Sequence, residues 1–213
     1  MVITRILRSA TLRACGLAGI AFLAAACQTV EPKTVESTLV ATPSLATVRP
    51  GDVAILPVED GTPDSAFVRH LTFARQELMR QLVDRLYNPI TAYTVDAALA
   101  AKPGVAEAST KRESILSPTT LKTLVGHAKE DAAIAVRIDR WDESRLLIDK
   151  RVRFEMQAAM MSSKGEQLWS GALRGEIKAG GIGAAPRDLD GMARSCIVLA
   201  IEEMLAQLPQ RKI

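Results

Sequence analysis

Histidine is nearly absent from this chain of 213 residues, and the two that occur, His70 and His127, have no His or Cys neighbour at ligand spacing. Without H-E-x-x-H or C-x-x-C, a structural zinc site is not expected, and no metal ligand is assigned. His127 lies beside Glu130 and Asp131 at a predicted helix end, where the carbonyl dipole favours a cation. Cysteine is also sparse, at positions 15, 27 and 196. No G-x-S-x-G elbow occurs. Gly181-Ile182-Gly183 does not complete a dinucleotide loop, because Pro186 stands where the third glycine belongs and a single helix follows, so no cofactor is expected. Aromatic residues make up only 4% of the chain, with two Trp, two Tyr and four Phe. A long apolar run is missing as well: the stretch from Ala14 to Ala26 is too short to span a bilayer.

That stretch follows Arg5, Arg8 and Arg13 with no acidic residue before it, and it ends in three alanines, the pattern of a secretory signal peptide. Leu23-Ala24-Ala25-Ala26-Cys27 resembles a lipobox, with Ala24 where Leu is commonest. The resemblance implies cleavage before Cys27 and diacylation of its thiol. Residues 1–26 are then the signal, and 187 residues remain, enough for one domain and a tether. Gln28, rather than Asp, after the cysteine resembles the pattern of lipoproteins sent to the outer membrane, with the domain facing the periplasm. The signal removes three of the 27 basic residues, leaving 24 basic against 24 acidic, so nucleic acid is not an expected partner. Cys15 leaves with the signal and Cys27 carries lipid. Cys196 is then the only thiol, no intrachain disulfide is available, and its place on an apolar helix face makes it a core residue.

Residues 27–50, rich in Thr, Ser, Val and Pro, read as a lipidated, extended tether, and residues 51–213 as a single α/β domain. Val53–Val58 is apolar on both faces, as an internal strand is. From Asp64, a candidate cap, Phe67, Leu71, Ala74, Leu78, Leu82 and Leu86 recur at helical spacing, with Arg80 and Asp84 placed for an i,i+4 pair. Ile90–Val95 reads as a short strand. Ser117-Pro118 starts an amphipathic helix with Leu121, Leu124, Val125 and Ala128 on one face, and Ala132–Trp141 alternates as a strand. Next comes a hairpin in which opposed residue numbers sum to 329. Val152, Phe154, Met156, Ala158 and Met160 then share an apolar face with Ile177, Gly175, Leu173, Gly171 and Trp169, while Arg153 meets Glu176 and Glu155 meets Arg174 on the polar face. Gly165 supplies the turn. A last helix runs from about Asp188 to Leu208. The fold class expected is an α/β (α+β) sandwich, a mixed sheet of about five strands with helices packed on it, in the order β-α-β-α-β-β-β-α.

This order resembles the α/β sandwich of the amino-terminal domain of the Tol translocation protein. Val53-Ala54-Ile55-Leu56-Pro57-Val58, then Asp131-Ala132-Ala133-Ile134 leading to Ile138 and Trp141, then Lys164-Gly165-Glu166-Gln167-Leu168-Trp169 resemble the curli-secretion and penicillin-binding-protein-activator group and its lipoprotein relatives. The resemblance covers residues 51–208. It implies a non-catalytic accessory or assembly lipoprotein that binds other envelope proteins, and it brings no catalytic residue. The chain lacks the two long membrane-crossing hairpins of the curli pore proteins. Candidate docking residues are Trp141, expected at a partly exposed strand end, with Arg153, Glu155 and Arg174 on the polar hairpin face. Two alternatives stay open: a subunit of a homo-oligomeric secretion assembly, and a periplasmic hydrolase with a site built from Glu59, Asp60 and His70. Against the second, Glu59-Asp60 is expected in a solvated turn.

Overall fold

Val53-Ala54-Ile55-Leu56 has no polar side chain to show to water, and it lies where such a segment belongs, inside a sheet and covered on both faces. The computed structural model describes residues 34–101, 114–180 and 188–211. In chain order these form β1 (Val35–Ser37), β2 (Val40–Ala41), α1 (Pro43–Val48), β3 (Asp52–Ile55), β4 (Glu59–Asp60), α2 (Leu71–Asp84), β5 (Asn88–Ile90) and α3 (Ala92–Ala100). There follow α4 (Pro118–Leu124), β6 (Ala132–Asp142), α5 (Leu146–Asp149), β7 (Arg151–Ser162), β8 (Gln167–Lys178) and α6 (Leu189–Ala206). One open mixed sheet runs β1-β8-β7-β6-β3-β5, with β2 added to β8 and β4 to β6. Strand β3 is parallel to both neighbours, whereas β6, β7 and β8 form an antiparallel meander.

The expected order is present as β3-α2-β5-α4-β6-β7-β8-α6. Helices α2 and α6 pack on one face, where Leu78, Leu82, Met192, Cys196, Ile197 and Met204 meet Ile134, Val136, Phe154, Met156 and Trp169 in the main core. On the other face α3 and α4 bring Val95, Leu121 and Leu124 onto Ala54, Leu56, Ala133, Ala135, Ala159 and Met161. That second layer covers the part of the sheet around β3 and the first halves of β6 and β7. The hairpin keeps the 329 register from Arg151 opposite Lys178 to Met160 opposite Trp169, after which a bulge shifts Met161 onto Gln167. Gly165 turns with φ 83°, a left-handed conformation that suits glycine.

Three expectations need correction. The tether is the largest: among residues 34–50, β1 and β2 pair antiparallel with β8, and α1 buries Leu45 in the main core, as the intervening turn does Leu39. Two- and three-residue strands carry no period to read, yet they close the free edge of β8 and so satisfy its backbone. Their approach is close, since a Cβ on Gly175 would come within 2.8 Å of Val35 Cα and one on Gly171 within 2.6 Å of Leu39 Cα. Second, the chain from Ile90 to Val95 is not a strand. β5 ends at Ile90, and the Thr91 hydroxyl caps the Thr94 amide and starts α3. Third, Asp64 does not cap the long helix. Asp60 instead accepts from the Thr62 and Phe67 amides, a short 3-10 turn follows over Val68–His70, and α2 begins at Leu71. At the next helix Pro118 occupies the first turn as expected, but the Ser117 hydroxyl makes no cap bond. At its C-terminal end α2 carries the expected Arg80–Asp84 pair at 3.7 Å, next to a closer Arg80–Glu77 contact at 2.5 Å.

Candidate functional site

Beyond the second layer, the sheet presents a charged face that no described helix covers. Alternation along β7 and β8 puts Arg151, Arg153, Glu155 and Gln157 opposite Lys178, Glu176, Arg174 and Ala172 on that side, and β6 adds Arg140 and Asp142. Glu176 sits among three cations, 3.1 Å from Arg151, 3.2 Å from Arg153 and 3.8 Å from Arg145. Burial raises its pKa, but the hydrogen bonds from Arg151 and Arg153 and the surrounding positive charge outweigh that and hold it below the ordinary value. Arg174 faces Glu155 in register as expected, but its guanidinium pairs with Glu36 at 2.7 Å, because β1 places Glu36 directly beside it. Glu155 is left 4.0 Å from Arg140. Together Glu36, Arg140, Arg153, Glu155, Arg174 and Glu176 line an open groove of about 360 Å³. Three acids balance three bases there, and Arg140, Arg153, Glu155 and Arg174 are roughly half to two-thirds exposed. Such a surface offers paired hydrogen-bonding partners of both signs and no net field to concentrate an anion.

The structure thus gathers Arg153, Glu155 and Arg174 into one groove but turns Trp141 away from it. Trp141 is 5% exposed and stacks edge-on to Phe67 with centroids 5.1 Å apart, so the expected partial exposure is corrected: the ring lies in the core. A bulge between Ile138 and Arg140 is the cause. Simple alternation from Ile138 points Arg140 inward and Trp141 outward, whereas the extra residue swaps them. Cys27 lies outside the described residues.

The acids and histidine weighed for hydrolysis are each engaged separately. Glu59 lies in β4 rather than in a solvated turn, 3.4 Å from Arg137, and accepts from the Ile115 amide at 2.8 Å. Asp60 accepts from the Thr62 hydroxyl at 2.6 Å as well as the two amides above. His70 is buried, with Nε2 3.0 Å from Glu143 Oε1, and the Trp141 indole donates to the same oxygen at 2.7 Å. Arg69 completes the shell around Glu143. Burial pulls the Glu143 carboxyl up, but the His70 and Trp141 bonds and the Arg69 charge overcome it and leave its pKa below the ordinary value. Glu143 is a hub that sequence reasoning missed, since nothing local links residue 70 to residue 143. Cys196 is fully buried in α6, and burial together with the Glu143 carboxylate pushes its thiol up to about 12. A thiol in that state is no nucleophile.

The fold and groove define an open α/β sandwich domain with one charged sheet face that no described helix covers. No family model and no curated protein sequence matches the chain. Among solved structures, the PelC dodecamer of Paraburkholderia phytofirmans is similar at 14% identity, over 84% of this chain and 99% of that one, with a TM-score of 0.45. Lipoprotein GNA1162 of Neisseria meningitidis is similar at 20% identity, over 72% and 99% of the two chains, with a TM-score of 0.42. The C-terminal domain of LpoB from Salmonella enterica is similar at 13% identity over 60% and 82%, with a TM-score of 0.39. At these scores the likeness is partial, and it carries no binding or activity over to this chain.

Proposed function

We propose that this protein is a lipid-anchored accessory protein of the bacterial cell envelope, held by Cys27 on the periplasmic side of the outer membrane and binding another envelope protein without catalysis. The anchor part of the reading is supported by the lipobox-like stretch, and no described helix is long and apolar enough to cross a membrane. The docking part is carried by one observation: the charged groove on β6, β7, β8 and β1, built on rigid strands and open to solvent. A surface with alternating charges selects partners through complementarity more than through buried area. The non-catalytic part is supported by the engagement of Glu59, Asp60 and His70 in separate structural bonds.

Cys27→Ala tests the anchor. The variant is expected in the soluble fraction and the parent in membranes, with outer-membrane markers; a membrane-bound variant defeats the anchor. A photocrosslinking side chain at Glu155 tests the groove in intact cells. A discrete adduct that disappears with Arg174→Glu supports it, and an adduct indifferent to that reversal removes the groove from the reading. An adduct of twice the chain mass identifies a second copy as the partner, the oligomeric form of the proposal.

A further inference from the structure

Eight large apolar side chains are exposed among the described residues, and two of them are adjacent on one turn, Leu147 at 72% exposure and Ile148 at 83%, with Leu189 at 43% on the helix that this turn packs against. Leu147 and Ile148 project from α5, the connection between β6 and β7, and Leu189 begins α6, against which α5 packs. The connection is held firmly. Leu146 beneath it is fully buried, Arg145 pairs with Asp149, and the Leu146, Ile148 and Asp149 amides are bonded to carbonyls within the turn. A braced turn that holds two adjacent apolar side chains outward is unusual unless something apolar covers them. Lys150 follows them, exposed, and Lys178 closes β8 opposite Arg151 at the same end.

The chain enters the domain at this end too. The Thr34 carbonyl accepts from the Glu176 amide and Val35 lies opposite Gly175, near the start of β7 and the finish of β8. Six residues, 28–33, lie between Cys27 and Thr34, a span of seven residue steps. Even fully extended at about 3.6 Å per residue they reach only about 25 Å, so lipid on Cys27 keeps a bilayer close to this end of the sheet.

We infer that the α5 turn is a second membrane contact, with Leu147 and Ile148 seated at the boundary of headgroups and acyl chains. The inference rests on the lipid-anchor reading above. A bilayer suits the turn better than a second copy does, because the anchor supplies the surface at high local concentration; Lys150 stands exposed beside the apolar pair, while Asp149 is paired with Arg145 and Asp190 with Arg194. The contact also has a consequence for the groove. A single point of attachment does not fix the domain's orientation, whereas a second point fixes which way β6, β7 and β8 present their charged face.

The full lipidated chain is the material for the test. A bimane label is placed at Ile148→Cys or, as a control, at Val40→Cys, an equally accessible site 65% exposed on β2. Val40 lies opposite Ser170, which faces Ala159, eight residues along β7 from Arg151 and so roughly 26 Å away along the sheet. Buried Cys196 stays unlabelled in the native protein. The protein is reconstituted in vesicles of phosphatidylethanolamine and phosphatidylglycerol with nitroxide-bearing acyl chains, and flotation reads attachment independently. Floating protein whose label at 148 is quenched severalfold more than the label at 40 supports the contact. Floating protein with equal quenching at the two sites overturns it while leaving the anchor intact. Protein that does not float overturns the anchor, and this contact with it.

Discussion

Single residues around Glu143 show how one carboxylate organises groups far apart in sequence. It lies 3.0 Å from His70 Nε2, accepts from the Trp141 indole and pairs with Arg69, all at the seam between the start of α2 and the end of β6. Because its folded pKa lies below the ordinary 4.5, the stabilisation it brings is complete above that value and is lost as pH falls through the folded pKa. Glu143→Gln is therefore expected to be less stable than the parent at neutral pH. The gap in denaturant midpoint should narrow as pH is lowered below 4.5 and the parent carboxylate takes up its proton. A gap constant over that range would mean that packing, not charge, is what Glu143 supplies. Cys196 gives a second prediction at this scale. Buried and with its thiol raised to about 12, it should resist iodoacetamide in the native protein and react fully once the chain is unfolded, as read by peptide mass. Modification of the native protein at a rate near that of a free thiol would require an opening of α6 that its packing denies.

Among the elements, the β7–β8 hairpin was the most legible, because two long strands with period-2 alternation admit one register in which Val152, Phe154, Met156, Met160, Trp169, Leu173 and Ile177 all face the main core. The energetics should divide in the same way. Met156, 3% exposed, loses its core contacts in Met156→Ala, at an expected cost of about 2–5 kcal/mol. Glu155, half exposed and 4.0 Å from Arg140, should cost less than about 1 kcal/mol as Glu155→Ala. Equal midpoints for the two variants would contradict the inward and outward assignment. What escaped the sequence was of two kinds. Trp141 was misjudged because a bulge reverses alternation, and a bulge of one residue leaves no compositional mark in Ile138-Asp139-Arg140. Helix α3 was missed because Tyr93-Thr94-Val95 is β-prone by itself, and only the Thr91 cap and the burial of Val95 against Leu121 decide for helix. The candidate groove was half legible. Arg153, Glu155, Arg174 and Glu176 follow from the hairpin register, whereas Glu36 arrives from β1 and Arg140 from the bulged strand, both long-range features.

At the scale of the whole molecule, the segment before residue 50 links the sheet and the groove. Expected as a tether, residues 35–48 are instead the edge of the sheet: β1 and β2 cover the free side of β8, Leu39 and Leu45 fill the core under it, and Glu36 pairs with Arg174 in the groove. If Cys27 carries lipid, as proposed above, only residues 28–33 separate it from the first described residue, Thr34. A chain beginning at Arg49 should accordingly be much less stable than one beginning at Thr34. Two leucines buried at about 1.5–3 kcal/mol each come to about 3–6 kcal/mol, before the bonds from Thr38 and Thr42 to the Ala172 and Leu168 carbonyls are counted. For a domain of this size, at about 2–4 °C per kcal/mol, the melting temperature should fall by roughly 6–24 °C. Calorimetry of the two chains decides it, together with hydrogen exchange of the β8 amides. The amide of Ala172, which donates to the Thr38 hydroxyl, should lose protection in the shorter chain, while amides of β6 keep theirs wherever the remaining sheet stays folded. Equal melting temperatures and an unchanged Ala172 amide would return residues 34–48 to the role of a tether. In that case Glu36 would also leave the groove, and Arg174, freed of its partner, would turn the balanced surface into a basic one.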